Sequence, residues 1–287
     1  MKPPEPADRY ARIAILDQTS PAPQAANDLM GESFKQNRAA LVTGAAKRIG
    51  KAIANALGND GWNVAVHYNQ SASEAETLVD EMRSRGVHAI AVKCDLSDVA
   101  AVAGLISECN AKLGALTCLI NNASLFEIDD PLGFEPGKWE RHAAINLSAP
   151  LQLTRDFASQ IPKQSNGCVI NMLDQKVFNL NPDFFSYTLT KVAMEAATRM
   201  LAMALAPQVR VCGIAPGITL VSGNQTQQGF ERAHACAPLG HSSDVDDIIA
   251  AVRYIIAAKS MTGDTLLIDG GQHLWPLRRD VQFEVKP

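Results

Sequence analysis

Residues 39–57 read A-A-L-V-T-G-A-A-K-R-I-G-K-A-I-A-N-A-L. The run Ala39–Val42 is short, apolar and uninterrupted, as a strand buried on both faces requires. From Lys51 onward the apolar residues recur at helical spacing. Thr43–Gly50 joins the two, and its outer glycines, Gly44 and Gly50, permit a tight turn and a close approach of helix to strand. A strand passing into a helix over such a turn opens a βα unit.

The same alternation continues outward. W-N-V-A-V-H-Y (62–68) reads as a strand, residues 73–85 as a helix, H-A-I-A-V-K-C (88–94) as a strand and residues 97–112 as a helix. L-T-C-L-I-N-N-A (116–123) is a fourth strand, a long helix covers much of 137–160, and G-C-V-I-N-M-L (167–173) is a fifth strand. A long helix begins near Tyr187, R-V-C-G-I-A-P-G (210–217) is a sixth strand, residues 244–258 are helical and T-L-L-I-D-G-G (265–271) is a seventh strand. Near-continuous apolar strands alternating with amphipathic helices specify a parallel sheet with helices on both faces. The expected fold is α/β, a single Rossmann-like doubly wound domain of seven parallel strands over residues 38–274. Residues 1–37, Pro-rich and mixed in charge, read as a flexible leader, and 275–287 as a tail.

With 287 residues and a formal charge of −4, the chain lacks the basic excess that phosphate neutralisation demands, so nucleic acid is not an expected partner. The six cysteines (94, 109, 118, 168, 212, 236) have no metal-ligand spacing, and most lie inside apolar runs. They read as reduced buried thiols of a cytoplasmic protein, with no metal site. No apolar run approaches the roughly 18 residues of a membrane span, and the N-terminus lacks the apolar core of a secretory signal.

The turn at Gly44, Lys47, Arg48 and Ile49 faces the N-terminus of the first helix, whose free N–H groups and positive dipole suit a pyrophosphate. Arg48 stands where a strict G-x-G-x-x-G fingerprint has its middle glycine. At the end of the second strand an NAD enzyme commonly places an acid on the ribose hydroxyls. Here the stretch is His67-Tyr68-Asn69-Gln70-Ser71, with no acid. Lys47 is placed to neutralise a 2′-phosphate, and Asn69 and Ser71 to hydrogen-bond it, so the expected cofactor is NADPH.

Cys168–Lys191 carries the second constellation. The fifth strand ends at Asp174, a loop follows, and Tyr187 and Lys191 stand four apart on one helical face. A cation beside a phenol favours the phenolate, so Lys191 is expected to lower the Tyr187 pKa toward a proton-donor range. Tyr-x-x-x-Lys alone also fits ordinary surface residues, and Asp174 alone also fits a loop cap.

T-G-A-A-K-R-I-G, Asp95-Leu96, Asn121-Asn122-Ala123-Ser124, Asn146, Tyr187-x-x-x-Lys191, Pro216-Gly217 and Asp269-Gly270-Gly271 occur in the order and spacing of the short-chain dehydrogenase/reductase superfamily, which the chain resembles over about 38–274. Within it the chain is similar to the pteridine reductases, including the FolM-type dihydromonapterin and alternative dihydrofolate reductases. Three features carry that likeness: Arg48 for the usual glycine, Ser124 closing Asn-Asn-Ala-Ser, and Asp174 for the serine thirteen positions before the tyrosine. A carboxylate can accept the 2-amino and ring N–H groups of a pterin, where a serine hydroxyl suits a simple carbonyl.

The resemblance implies a catalytic set of Asp174, Tyr187, Lys191 and Asn146, the last organising a water that links Lys191 to solvent. It implies cofactor contacts from Asp95 and Leu96 at the adenine and from Asn122, Ala123 and Ser124. Tyr68, Pro216, Gly217, Tyr187 and Lys191 complete that set. Substrate contacts are implied for Arg48, Ser124, Phe126, Asp174, Tyr187 and Thr219; an ordinary loop or core aromatic remains open for Phe126. Thr219–Gly240, polar and without strong periodicity, reads as a mobile lid. His234 and His241 beside it read as surface or capping residues. The resemblance implies a homotetramer with the tail at a subunit interface, and NADPH-dependent reduction of dihydropterins or dihydrofolate. A carbonyl-reducing member of the superfamily and a non-catalytic NADPH-binding sensor are the alternatives.

Overall fold

The computed structural model describes residues 38–222, 225–275 and 277–284. The expected leader, 1–37, lies outside the described residues.

Seven strands form one wholly parallel sheet: β1 (Ala39–Val42), β2 (Asn63–Tyr68), β3 (Ala89–Lys93), β4 (Leu116–Asn121), β5 (Gly167–Met172), β6 (Val209–Pro216) and β7 (Thr265–Ile268). Their order across the sheet is β3-β2-β1-β4-β5-β6-β7. The chain winds outward from β1 in both directions, and the direction reverses between β1 and β4. The carboxyl ends of the strands open a crevice at that point, which is where doubly wound sheets bind ligands.

Alternation along each strand feeds two cores. Ala40, Val42, Val64 and Val66 pack with Ile53 and Leu57 of α1 (Arg48–Asn59), Leu78 of α2 (Ala72–Ser84) and Ile248 of α8 (Val245–Ala257). On the opposite face, Leu41, Leu119 and Val169 meet Leu105 of α3 (Val99–Leu113) and Phe157 of α5 (Ala149–Gln160). The expected single-domain sheet with helices on both faces is what the chain forms.

Two expectations are corrected. The helix over 137–160 is interrupted: α4 (Pro136–Ala143) passes through a wider π-helical turn at Ala144–Ser148 into α5. Pro150 has no N–H to return to the carbonyl of Asn146, and its ring crowds that carbonyl, so the ladder must rearrange there. The expected lid without periodicity contains a helix, α7 (Gln227–Ala235), whose first turn is capped by Thr226 accepting from the Gly229 N–H at 3.0 Å. The polar composition concealed the pair Phe230 and Ala233, which gives this helix its inner side. Gly223 and Asn224 of that segment lie outside the described residues.

Candidate functional site

A cavity of about 520 Å³ runs along the carboxyl edge of the sheet, from the β1–α1 turn past β4 and β5 to the segment after β6. At one end the turn is built around Gly44, in the left-handed region at φ +62°. A Cβ on Gly50 would lie 2.3 Å from the Gly44 carbonyl oxygen, so the close approach read from the glycine pair is a steric requirement. Arg48, at the fingerprint's middle position, also has positive φ (+55°) and directs its guanidinium to the carbonyl of Val221.

His67 locks this turn, a role that spacing did not show. Its Nδ1 accepts from the Gly44 N–H at 2.9 Å, and its Nε2 lies 3.0 Å from the Cys94 carbonyl. Those partners require the neutral ring protonated on Nε2. Burial agrees, holding the imidazole pKa down at about 4. Thr43 ties the same turn to β4: its hydroxyl oxygen accepts from the Asn122 and Ala123 N–H groups, each at 2.9 Å. Asn122 returns a bond from Nδ2 to the Thr43 carbonyl at 2.8 Å.

Gly44, Lys47, Arg48, Ile49, Asn69, Asp95 and Leu96 line this end of the cavity. Lys47 forms an ion pair of 2.6 Å with Glu74 in the first turn of α2, so a phosphate there would have to share or displace that partner. Asp95 accepts from the Ser97 hydroxyl and N–H at 2.7 and 2.9 Å, which hold its carboxyl below the usual range. Tyr68 and Ser71 do not reach the cavity wall; Tyr68 packs against the core.

Asn122 and Ala123 line the cavity against the Gly44 turn, and at the other end stand Ser124, Phe126, Asp174, Tyr187, Lys191, Pro216, Gly217 and Thr219. α6 (Phe185–Leu205) brings Tyr187 and Lys191 to the end of β5. Its first turn is anchored by Asp129, whose carboxylate accepts from the Ser186 N–H at 3.1 and 3.2 Å, favourable placement for an anion at a helix N-terminus. The Tyr187 hydroxyl donates to Asp174 Oδ2 at 2.8 Å. Asp174 Oδ1 accepts from the Lys176 N–H at 2.8 Å, capping the short 3-10 turn Gln175–Val177. Asp174 is therefore both a loop cap and a partner of the phenol.

Lys191 donates from Nζ to the Met172 carbonyl at 2.7 Å. The expectation that it lowers the Tyr187 pKa is overturned. Burial first, then the adjacent Asp174 carboxylate, pushes the phenol well above its ordinary value. Burial likewise raises the Asp174 carboxyl, against the opposing bonds from Lys176 and Tyr187. Lys191 is itself brought down to about 8 by burial. Helical spacing places two side chains on one face, but burial first and then the carboxylate at the end of β5 decide where the phenol's proton stays.

Phe126 covers this end, stacked on Phe184 with ring centroids 4.1 Å apart and edge-on to Tyr187 at 4.6 Å. It is thus a wall of the cavity and a member of an aromatic cluster. Asn146 sits in the π-helical turn, buried, and does not line the cavity. Its Oδ1 accepts from the Leu125 N–H at 2.7 Å, and its Nδ2 donates to the Leu125 carbonyl at 2.9 Å, so it pins the loop that carries Ser124 and Phe126. Thr219 shares a hydroxyl–hydroxyl bond of 2.7 Å with Ser243. His234 Nδ1 meets the Ile218 carbonyl at 2.8 Å and His241 Nδ1 the Ser242 carbonyl at 2.9 Å, so each engages loop backbone beside the cavity.

The family model for the short chain dehydrogenases matches residues 38–231. Among solved structures, the alternative dihydrofolate reductase FolM of Brucella canis, complexed with NADP, is 41% identical. It covers 83% of this chain and 95% of its own, with a TM-score of 0.79. Pteridine reductase 1 of Leishmania tarentolae is 30% identical, across 82% of this chain and 96% of that protein. The 3-oxoacyl-[acyl-carrier-protein] reductase FabG of Staphylococcus aureus is 29% identical, across 84% of this chain and all of that protein.

Proposed function

The chain belongs to the short chain dehydrogenase family, and on that premise we propose that it is an NADPH-dependent reductase of 7,8-dihydropterins or dihydrofolate. The reaction adds hydride at C6 and a proton at N5, giving the tetrahydro form. One observation carries this reading: a carboxylate, Asp174, occupies the cavity wall in direct hydrogen bond with Tyr187. The likeness to the FolM and pteridine reductase relatives supports it.

The chain's phosphate-binding end fits the cofactor. Gly50 leaves no room for a Cβ, Gly44 holds a left-handed φ that disfavours one, and Lys47 and Arg48 supply the cations. NADPH, when bound, supplies the hydride. Asp174 accepts hydrogen bonds from the amidine-like edge of the pterin and so orients the ring. Phe126 contributes a flat apolar wall for it. Tyr187, whose phenol is kept protonated, gives the proton toward N5 and regains one from solvent, while the Asp174 carboxylate remains the acceptor that holds the phenol and the pterin edge. Lys191 holds the end of β5 through the Met172 carbonyl, and its remaining ammonium protons would serve the cofactor's ribose hydroxyls. Assembly as a homotetramer is part of the same proposal, and light scattering tests it.

The test of function is steady-state NADPH oxidation with dihydrofolate, dihydromonapterin and dihydrobiopterin. Turnover of at least one supports the reading. Activity confined to a 3-oxoacyl thioester or a simple ketone would replace it with the carbonyl reduction named by the FabG relative.

A further inference from the structure

Lys176 follows Asp174 by two positions, yet its side chain is only 3% exposed. Its Nζ donates to Asp280 Oδ2 and to Asn181 Oδ1, each at 2.8 Å, and lies 5.6 Å from the ring centroid of Phe184. A buried ammonium needs this degree of satisfaction, because an unpaired charge in such a place is strongly unfavourable. The acid that answers it comes from 104 residues later in the chain.

Asp280 is held in turn. Its N–H donates to Asp183 Oδ2 at 2.7 Å, and Arg279 grips the same carboxylate through Nε and Nη2 at 2.7–3.0 Å. Phe283 stacks on Phe184 at 6.1 Å, and Phe184 stacks on Phe126. The tail segment therefore clasps the loop 174–184 of its own chain, and Asp280, Val281 and Gln282 line the cavity.

Asp174 depends on that loop. One of its oxygens is held by the Lys176 N–H, and the other is thereby presented to Tyr187. Rotation of the 3-10 turn would move both bonds together. We propose that residues 279–283 act in cis as part of their own chain's substrate site. Asp280 and Lys176 are positioning residues, and their ion pair keeps the Asp174 carboxylate in line with the Tyr187 hydroxyl. This deepens the pterin-reductase reading and rests on it for the choice of ligand.

The test uses the full-length protein loaded with NADP, titrated with a 2,4-diaminopteridine as a probe of Asp174. Asp280→Asn leaves Lys176 without its counter-charge. It is expected to weaken the probe by about tenfold or more while NADP affinity stays within about twofold. Unchanged probe affinity overturns the proposal. Where Asp280→Asn does not fold, Asp280→Glu displaces the charge by one methylene and carries the same comparison at smaller amplitude. If the wild type binds NADP but not the probe, the substrate reading fails, and the cis arrangement is judged from turnover alone. For that, Tyr187→Phe and Asp280→Asn chains are co-expressed, and activity is measured on whichever substrate the wild type reduces. A tail acting in cis leaves the mixed preparation no more active than its Asp280→Asn share. Recovery toward wild-type activity would mean that the tail serves a neighbouring subunit, and would sink the inference.

Discussion

Replacing Asp174 by serine removes the carboxylate while leaving a hydroxyl of the kind most family members carry. The native side chain spans two partners, the Lys176 N–H and the Tyr187 hydroxyl, each at 2.8 Å. A serine hydroxyl is too short to reach both. The larger loss is toward substrate, since a charge-assisted hydrogen bond contributes about 1.5–3 kcal/mol. Losing one such bond to the pterin edge corresponds to a fall of roughly 10- to 150-fold in kcat/KM. The assay is initial-rate NADPH oxidation across dihydropterin concentrations, with NADPH affinity measured separately. The phenol supplies an independent reading. Asp174 is one of the groups that raise the Tyr187 pKa, so the substitution brings that pKa down toward the value set by burial and Asp280. Ultraviolet difference titration against Tyr187→Phe follows it. An Asp174→Ser enzyme whose pterin kcat/KM stays within about threefold of wild type would refute the reasoning.

Gly50→Ala places a Cβ 2.3 Å from the Gly44 carbonyl oxygen and 2.5 Å from Asn122 Nδ2. The turn must open, and NADPH affinity is expected to collapse in a fluorescence titration, with about 1–3 kcal/mol lost from unfolding stability. Glu74→Gln frees Lys47 from its 2.6 Å ion pair and is expected to raise the preference for NADPH over NADH, whereas Lys47→Ala lowers it. Competition kinetics with the two cofactors reads both. Lys191 titrates at about 8 in the folded chain against 10.5 unfolded, so between those values the unfolded state binds more protons and stability rises with pH. Relative to Lys191→Met, the wild type is expected to gain about 2 kcal/mol between roughly pH 7.5 and pH 9.5, measured by urea unfolding.

Much of the fold was legible because it rests on neighbouring residues. The run Ala39–Val42, the glycines at 44 and 50, and the Tyr187–Lys191 spacing each carry their meaning within a few positions. The interrupted helix at 144–148 had a readable cause in Pro150, and α7 had one in Phe230 and Ala233; both were masked by stronger neighbouring patterns. His67, Thr43 and Asp129 had no local signal. Each bonds a backbone group brought to it from a distant turn, strand end or helix.

The sequence alone determined the alternation of strands and helices, the place of the phosphate-binding turn and the order of the family motifs, since periodicity and glycine position are properties of consecutive residues. Only the tertiary structure decided which way the Tyr187 proton is biased, what Asn146 holds and that Asp280 returns to Lys176. Charge, burial and hydrogen bonding act through space. Their sum at Tyr187 is set by a carboxylate thirteen residues upstream and by the depth of the cavity wall, neither of which a helical spacing encodes.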